Sequence, residues 1–178
     1  MGRDKATALI GDTSLVKHAY DIARKVFRKL IVVSSLHAAI DGVDAPIVAD
    51  VVAVPGSLTG IVSALLHADT PHVFVLGCDM PFVTPESMSC VLDAFCGEDI
   101  VIPRTEGGLE PMHALYARSC LSPMLTAIER RRMKVTDLFP YLSVKILQSC
   151  PLFKRDGISV FANVNTEEDL RRAERLLS

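Results

Sequence analysis

The sequence predicts a single α/β domain in which helices cover both faces of a mostly parallel sheet. The 178-residue chain has the length of one domain, and 49% of its residues are hydrophobic, enough for a substantial core. Short apolar, β-branched runs alternate with amphipathic helical patterns, which is typical of strand–helix–strand units. We therefore expect one domain over residues 1–178 with no internal linker.

The first half of the chain carries the clearest alternation. Asp12, Thr13 and Ser14 offer capping oxygens before a helical pattern over residues 14–27. Continuous apolar runs predict strands buried on both faces at residues 30–34 and 46–49. A helical pattern begins at Gly60, and residues 72–76 form the strongest predicted strand. These elements suit a parallel sheet.

The second half is more mixed. Pro85 and Gly97 bracket a predicted helix over residues 85–95, because proline favours a first helical turn and glycine follows helix ends. The remaining predicted elements are strands at 100–103, 114–116 and 144–147, helices at 122–131 and 166–177, and a loop at 107–108. These elements predict an α+β arrangement for the second half of the chain.

Charge and hydropathy exclude several functions. Nineteen Lys and Arg residues against 21 Asp and Glu give a net charge of -2, so the chain lacks the basic field of a nucleic-acid-binding protein. No apolar run approaches the about 18 residues of a membrane span. The N-terminus is charged at once and has no secretory signal pattern, so we expect a cytoplasmic protein.

The five cysteines are an odd number and form no CxxC pair. This pattern predicts reduced, mostly buried thiols rather than a disulfide framework or a zinc site.

Polar residues that follow the predicted strands are the first candidates for a site, because α/β sheets bind ligands at the carboxyl ends of their strands. Asp50 follows one strand, and a turn with Gly56 and Gly60 then leads into a helix whose free N–H groups favour an anion or a polar base edge. An ordinary turn between strand and helix explains the same glycines.

Asp79 follows the strongest predicted strand, where a carboxylate can hold Mg²⁺; a capping or turn aspartate is the alternative. Asn163 and Asn165 alternate with apolar residues and so point to the same side, before a capping Thr166. Lys5, taken alone, is an ordinary surface charge.

Several of these segments occur in the order and approximate spacing of a known family. They are Met1-Gly2-Arg3-Asp4-Lys5, the 55–60 turn Pro-Gly-Ser-Leu-Thr-Gly, Gly77-Cys78-Asp79-Met80-Pro81-Phe82, Glu110-Pro111-Met112-His113-Ala114-Leu115-Tyr116 and Asn163-Val164-Asn165-Thr166. Together they cover essentially the whole chain, which resembles the molybdenum cofactor guanylyltransferase family.

The resemblance implies a Rossmann-like fold of the nucleotide-diphospho-sugar transferase type. It also implies a Mg²⁺-dependent enzyme that joins GMP from GTP to molybdenum-molybdopterin and releases pyrophosphate. GTP and the molybdopterin cofactor would be its substrates, and molybdoenzyme maturation proteins are possible further partners.

The resemblance also assigns roles to residues. Lys5 would neutralise the leaving phosphates, and Asp79 would carry the metal; these two are the expected catalytic residues. Positions expected on the nucleotide side are Lys5, Asp50, Gly56, Leu58, Gly60 and Asp79. Asn163, Asn165 and His113 are expected on the pterin or phosphate side, although a structural histidine is the preferred interpretation of His113.

Two departures from the family pattern stand out. The family begins with a buried strand and a glycine-rich loop with an arginine, and Met1 of this chain coincides with a methionine inside that motif. The resemblance thus implies that the first, central strand is missing, as in a chain whose start was assigned too late or a fragment. Ser34-Ser35 stands where the family often has Asn.

Other functions remain open at this point. A molybdopterin cytidylyltransferase or a sugar-phosphate nucleotidyltransferase would share the fold, and a catalytically dead binding module in molybdoenzyme maturation would share the pterin-facing half. Arg130-Arg131-Arg132 is either a solvated helix end or an anchor for a pterin phosphate or a partner protein.

Overall fold

The computed structural model describes residues 8–34, 39–51, 56–148 and 150–177. The helices are α1 (Leu15–Ala23), α2 (Ser57–His67), α3 (Pro85–Asp93), α4 (Leu121–Glu129) and α5 (Glu167–Leu177). The strands are β1 (Leu9–Ile10), β2 (Thr13–Ser14), β3 (Val32–Val33), β4 (Ile47–Val48), β5 (His72–Leu76), β6 (Ile100–Thr105), β7 (Gly108–Leu109), β8 (His113–Ala117), β9 (Val144–Leu147), β10 (Lys154–Arg155) and β11 (Ile158–Ser159). The predicted α/β class is confirmed.

The main sheet has five strands in the order β5-β8-β6-β7, with β9 paired to β6. The strand β8 runs antiparallel to both β5 and β6, whereas β9 is parallel to β6. β5, β6 and β9 therefore share one direction, and β8 is inserted against it. The β6–β7 hairpin reverses the chain just before β8, which gives β8 its opposite direction.

A second, smaller unit is the parallel pair β3–β4, in which Val32 lies opposite Ile47 and Val33 opposite Val48. Within the described residues this pair shares no strand pairing with the five-stranded sheet. Helix α2 packs against both β3 and β5 and so joins the two units.

Both strands of this pair are shorter than predicted, and their side chains are half-buried rather than buried on both faces. Each has one strand neighbour in the described part of the chain, which explains the partial burial.

Helices cover both faces of the main sheet because successive residues of its strands point to opposite sides. Ile100 and Ile102 of β6 pack with residues of α2 and α4 in the largest apolar cluster. Val101, between them, packs with Val91 of α3 on the other face. The alternation predicted from sequence thus produces a three-layer arrangement.

Two predicted helix boundaries are wrong. Ser14 caps α1 as expected, accepting a hydrogen bond from the Lys17 backbone N–H (3.2 Å). The helix nevertheless ends at Ala23 rather than residue 27, and the ring of Phe27 packs 5.2 Å from that of Phe74 on β5. Helix α2 begins at Ser57, so Gly60 lies inside a helix rather than in a turn.

All five cysteines carry free thiols, but the expectation that they are mostly buried is wrong. Only Cys120 is buried; Cys96 is exposed, because it lies in the turn between α3 and β6. None of the described helices is both long and apolar enough to cross a membrane.

Candidate functional site

Asp79 lies half-buried just beyond the carboxyl end of β5. Two residues earlier, the Gly77 backbone N–H donates to the Met112 carbonyl (2.8 Å). A Cβ atom on Gly77 would lie 2.9 Å from Asp79 Oδ1 and 3.3 Å from the Met112 Cβ. The glycine therefore allows the carboxylate to fold back over the end of its own strand, a role that the sequence alone did not reveal.

A backbone hydrogen bond brings the segment with the two candidate asparagines next to Asp79. The Val164 N–H donates to the Asp79 carbonyl (2.8 Å) across 85 residues of sequence. Val164 is buried with Phe82 in one apolar cluster, whereas Asn163 and Asn165 are exposed on either side of it. The structure thus brings Asp79, Asn163 and Asn165 to one edge of the domain.

The entry into α5 fixes the asparagine loop. Asp169 Oδ2 accepts hydrogen bonds from the Asn165 N–H (3.1 Å), the Thr166 N–H (2.9 Å) and the Thr166 hydroxyl (2.8 Å). These bonds, led by that from the Thr166 side chain, lower the pKa of Asp169. The predicted capping Thr166 accepts in return from the Asp169 N–H (3.1 Å), and the reciprocal bonds restrain the loop.

Asp50 follows β4 and is exposed. Its Oδ1 accepts a hydrogen bond from the hydroxyl of Ser63 on α2. The same hydroxyl accepts from the Val51 backbone N–H (3.0 Å). The sequence indicates no role for Ser63, because nothing in the pattern of an apolar helix shows which serine faces the preceding loop.

The predicted glycine turn divides into a cap and a first helical turn. Gly56 is the N-cap of α2 with φ 155° and ψ 162°, a conformation essentially restricted to glycine. The cap residue is a glycine and provides no side-chain hydrogen bond to this end of the helix. As in any helix, the first N–H groups have no intrahelical partners. The Leu58 side chain is buried in the core, and a Cβ atom on Gly60 would point into open space. Only backbone groups of Leu58 and Gly60 can therefore face a nucleotide.

His113 lies inside the core of the sheet. It is fully buried, between the rings of Phe74 (5.0 Å) and Phe161 (4.9 Å). Among the described residues neither ring nitrogen has a partner at hydrogen-bonding distance and angle. Burial lowers the pKa of His113 to about 4, and the Ser87 backbone opposes this shift only in part. This position suits the structural alternative; a role on the phosphate side stays a prediction.

Glu110 is a further polar candidate that the sequence left without a role. Burial raises the pKa of this carboxyl group, and its Oε1 accepts from the Thr105 hydroxyl (2.9 Å). Two residues further along the chain, the Met112 carbonyl accepts the hydrogen bond from the Gly77 N–H. Burial of an isolated glutamate cannot be inferred from a motif, so only the structure shows this feature.

Two predicted positions, Lys5 and Ser35, lie outside the described residues. Arg130, Arg131 and Arg132 are exposed. In residues 8–34, 39–51, 56–148 and 150–177, no ion pair involves these three arginines.

The described residues contain no group of three or more His, Cys, Asp or Glu side chains that could hold a metal ion. Mg²⁺ needs no such group, because it commonly binds through one or two carboxylates together with water and substrate phosphates. The half-buried Asp79 at a strand end fits that donor set.

A nucleotide site at the carboxyl edge of an α/β sheet combines a carboxylate after one strand with an uncapped helix N-terminus after another. Asp79 follows β5 and α2 begins after β4, so this chain has both features, which are typical of nucleotide-dependent transferases. Comparison with known proteins specifies the class. The chain belongs to the family described as the MobA-like NTP transferase domain, which matches residues 1–139, and it is a nucleotidyltransferase domain.

Relatives of known name agree with the family and confirm the resemblance. A "Probable molybdenum cofactor guanylyltransferase" from Pelotomaculum thermopropionicum is 29% identical over 174 residues, covering 97% of this chain and 85% of the relative. A "Molybdenum cofactor guanylyltransferase" from Desulfosudis oleivorans is 27% identical over 175 residues, covering 97% and 87%. Both alignments are long enough to extend beyond residue 139.

Solved structures share the fold. Molybdopterin-guanine dinucleotide biosynthesis protein A from Archaeoglobus fulgidus superposes with a TM-score of 0.79 at 27% identity, covering 99% of this chain and 91% of the other. A 2-C-methyl-D-erythritol 4-phosphate cytidylyltransferase from Thermus thermophilus gives a TM-score of 0.72 at 16% identity, covering 97% and 92%. The predicted nucleotide-diphospho-sugar transferase fold is confirmed.

Proposed function

We propose that this protein transfers GMP from GTP to the phosphate of molybdenum-molybdopterin and releases pyrophosphate. The family and the names of the relatives support guanylyl transfer. The observation that carries the proposal is the backbone hydrogen bond from the Val164 N–H to the Asp79 carbonyl. It holds the residue with the candidate metal-binding carboxylate next to the loop that carries Asn163 and Asn165.

The reaction is an in-line displacement at the α-phosphorus of GTP. An oxygen of the pterin phosphate forms the new bond to phosphorus as the bond to pyrophosphate breaks, so the enzyme needs no covalent intermediate. The task of the protein is to position two anionic substrates and to neutralise their charge. Asp79 would hold Mg²⁺, which supplies charge neutralisation at the phosphates when it is bound.

Asp50 would select the base. Guanine presents its ring N1–H and its 2-amino group side by side, so a carboxylate can accept both hydrogen bonds. Adenine and cytosine each present a ring-nitrogen acceptor beside an amino group, and that acceptor would repel the carboxylate. The uncapped N–H groups at the start of α2 lie on the same chain segment as Asp50 and would add polar contacts to the nucleotide.

The remaining roles follow the same division of the site. Lys5 would neutralise the leaving phosphates, and Asn163 and Asn165 would contact the pterin phosphate or the metal-bound side.

The metal role is tested with Asp79→Ala and the control Asp69→Ala. Asp69 is exposed and precedes the amino end of β5, whereas Asp79 follows the carboxyl end of the same strand. Pyrophosphate release with GTP, Mg²⁺ and molybdenum-molybdopterin should fall by about a thousandfold in Asp79→Ala and stay unchanged in Asp69→Ala. Unchanged turnover in Asp79→Ala at saturating Mg²⁺ would rule out the metal role.

The base preference is tested by equilibrium competition among GTP, CTP and ATP. GTP should compete far better than the other two, and Asp50→Asn should remove most of that preference, because one acceptor oxygen becomes a donor. Preferential binding of CTP would instead favour a cytidylyltransferase. Binding of the pterin without any nucleotide turnover would favour a binding module.

A further inference from the structure

Helix α2 carries a polar stripe on an otherwise apolar surface. Thr59, Ser63 and His67 are spaced four residues apart, so they lie along one helix face. The Thr59 hydroxyl donates to the Gly56 carbonyl (2.7 Å), and His67 Nε2 lies 3.2 Å from the Ala49 carbonyl. Ser63, between them, is bonded to Asp50 and Val51. The stripe therefore faces the segment that follows β4.

Ser63 is fully buried and makes more contacts than a serine needs for helix formation. Its single hydroxyl proton has two acceptors in reach, Asp50 Oδ1 and the Thr59 carbonyl (2.9 Å). The Thr59 carbonyl already accepts the intrahelical bond from the Ser63 N–H. A charged carboxylate is the stronger acceptor, so the proton goes to Asp50.

The acceptor side of the same hydroxyl is also used. The Val51 N–H donates to Ser63 Oγ (3.0 Å), so one side chain holds both the carboxylate of Asp50 and the next backbone N–H. Asp50 itself is exposed and follows a two-residue strand. Without Ser63, the Asp50 side chain would be free to change rotamer.

We propose that Ser63 is a positioning residue for base selection, which orients the Asp50 carboxylate so that it accepts both the N1–H and the 2-amino N–H of guanine. This inference rests on the proposed base-selecting role of Asp50. Two parallel hydrogen bonds require the carboxylate to lie in the plane of the base, and a fixed Oδ1 sets that plane before the nucleotide arrives.

Inosine triphosphate separates this role from a purely structural one, because its base lacks the 2-amino group and can donate only N1–H to Asp50. The dissociation constants of GTP and inosine triphosphate are measured by equilibrium titration for wild type and each variant. Ser63→Ala should weaken GTP binding about tenfold and inosine triphosphate binding less, so the preference for GTP should shrink.

Two further substitutions separate the hydrogen bond from side-chain volume. Ser63→Cys keeps the shape of the side chain and slightly enlarges it, but a thiol donates weakly, so this variant should resemble Ser63→Ala. Ser63→Thr keeps the hydroxyl and should retain the preference for GTP. The matched control is Ser87→Ala: Ser87 is equally buried on α3, but its hydroxyl donates to the Thr84 carbonyl (2.8 Å) instead of a carboxylate. The control should leave the preference unchanged even if it lowers the melting temperature.

The outcomes distinguish this inference from the proposed function. If Asp50→Asn removes the preference for GTP while Ser63→Ala and Ser63→Cys leave it intact, the positioning role is wrong and the function of Asp50 stands. If Asp50→Asn leaves the preference intact, the base-selecting role fails and the inference fails with it. A wild-type preference in Ser63→Cys but not in Ser63→Ala would show that volume is what matters, which also overturns the proposal.

Discussion

The five-stranded sheet and the β3–β4 pair hold their candidate site residues in different ways. Backbone hydrogen bonds hold Asp79 at the sheet: the Gly77 N–H donates to the Met112 carbonyl, and the Asp79 carbonyl accepts from the Val164 N–H. Asp50 follows the short pair and is held by one side chain, that of Ser63. The proposed metal-binding carboxylate therefore shares the stability of the core, whereas the proposed base-selecting carboxylate depends on a helix that bridges two separate units.

The largest expected difference between the two regions is in hydrogen exchange. The amides of Val32 and Ser34 donate within the half-buried pair (2.9 and 3.0 Å), whereas β8 lies between two strands and is buried along its length. Amides of the pair should exchange at least about a hundredfold faster than those of β8, because local opening of the pair exposes little apolar surface. Equal protection, measured by mass spectrometry or NMR, would contradict the contrast.

Acid should weaken the five-stranded sheet through His113. Its pKa is about 4 in the folded protein, below the about 6.5 of an unfolded chain. As pH falls through this interval the unfolded state binds a proton that the folded state does not, so folding loses about 3 kcal/mol between pH 7 and 4. The penalty is absent above the unfolded pKa.

His113→Phe removes the titrating ring and keeps an aromatic partner for Phe74 and Phe161. Urea denaturation at several pH values should show a smaller acid-induced loss of stability in this variant than in wild type. If the free energy of unfolding falls equally with pH in both proteins, His113 is not the cause of the acid-induced loss.

Asp99 lies directly before β6 and is hydrogen-bonded to Ser143, directly before β9, so it links the amino ends of these two strands. It accepts hydrogen bonds from the Ser119 hydroxyl, the Ser143 N–H (2.8 Å) and the Ser143 hydroxyl (2.9 Å), joining β6, β9 and the segment after β8. These bonds, with that from Ser119 the largest cause, lower the pKa of Asp99. Asp99→Ala should reduce the free energy of unfolding by about 1–2 kcal/mol.

The comparison for Asp99 is the exposed ion pair Lys29–Asp69 (2.6 Å), which joins the segment before β3 to the segment after α2. Asp69→Ala should leave thermal stability unchanged, because exposed ion pairs contribute little. If Asp69→Ala lowers stability more than Asp99→Ala does, the main sheet is not the more stable of the two regions.

The smallest effect is expected at the end of α4, which packs on the bridging helix α2. Arg131 has φ 57°, and the Arg131 and Arg132 N–H groups close the helix on the Ile128 and Ala127 carbonyls (2.9 and 2.8 Å). Glycine is favoured at this left-handed position.

Arg131→Gly should therefore raise the free energy of unfolding by about 0.5–1 kcal/mol, after the greater freedom of glycine in the unfolded chain is subtracted. Arg132→Gly removes a neighbouring charge without relieving a left-handed residue and should give no gain. A gain in both variants would indicate charge repulsion instead of backbone strain.

Local patterns predicted much of the fold. The strand at residues 72–76, the strand at 144–147 and the capping Ser14 all agree with the structure, because each depends on neighbours in sequence. The predicted start of α2 is wrong: the helical pattern begins at Gly60, whereas the helix begins at Ser57, because burial of Leu58 and Thr59 outweighs the low helix propensity of glycine.

Apolar periodicity and turn residues act over a few positions, so the α/β class, the order of the main elements and the position of Asp79 and Asp50 after strands could be predicted from the sequence. Packing places β8 between β5 and β6, Val164 against Asp79 and Ser63 against Asp50. These contacts join different elements of the fold, and their geometry follows from how helices and strands pack together, which no local pattern shows.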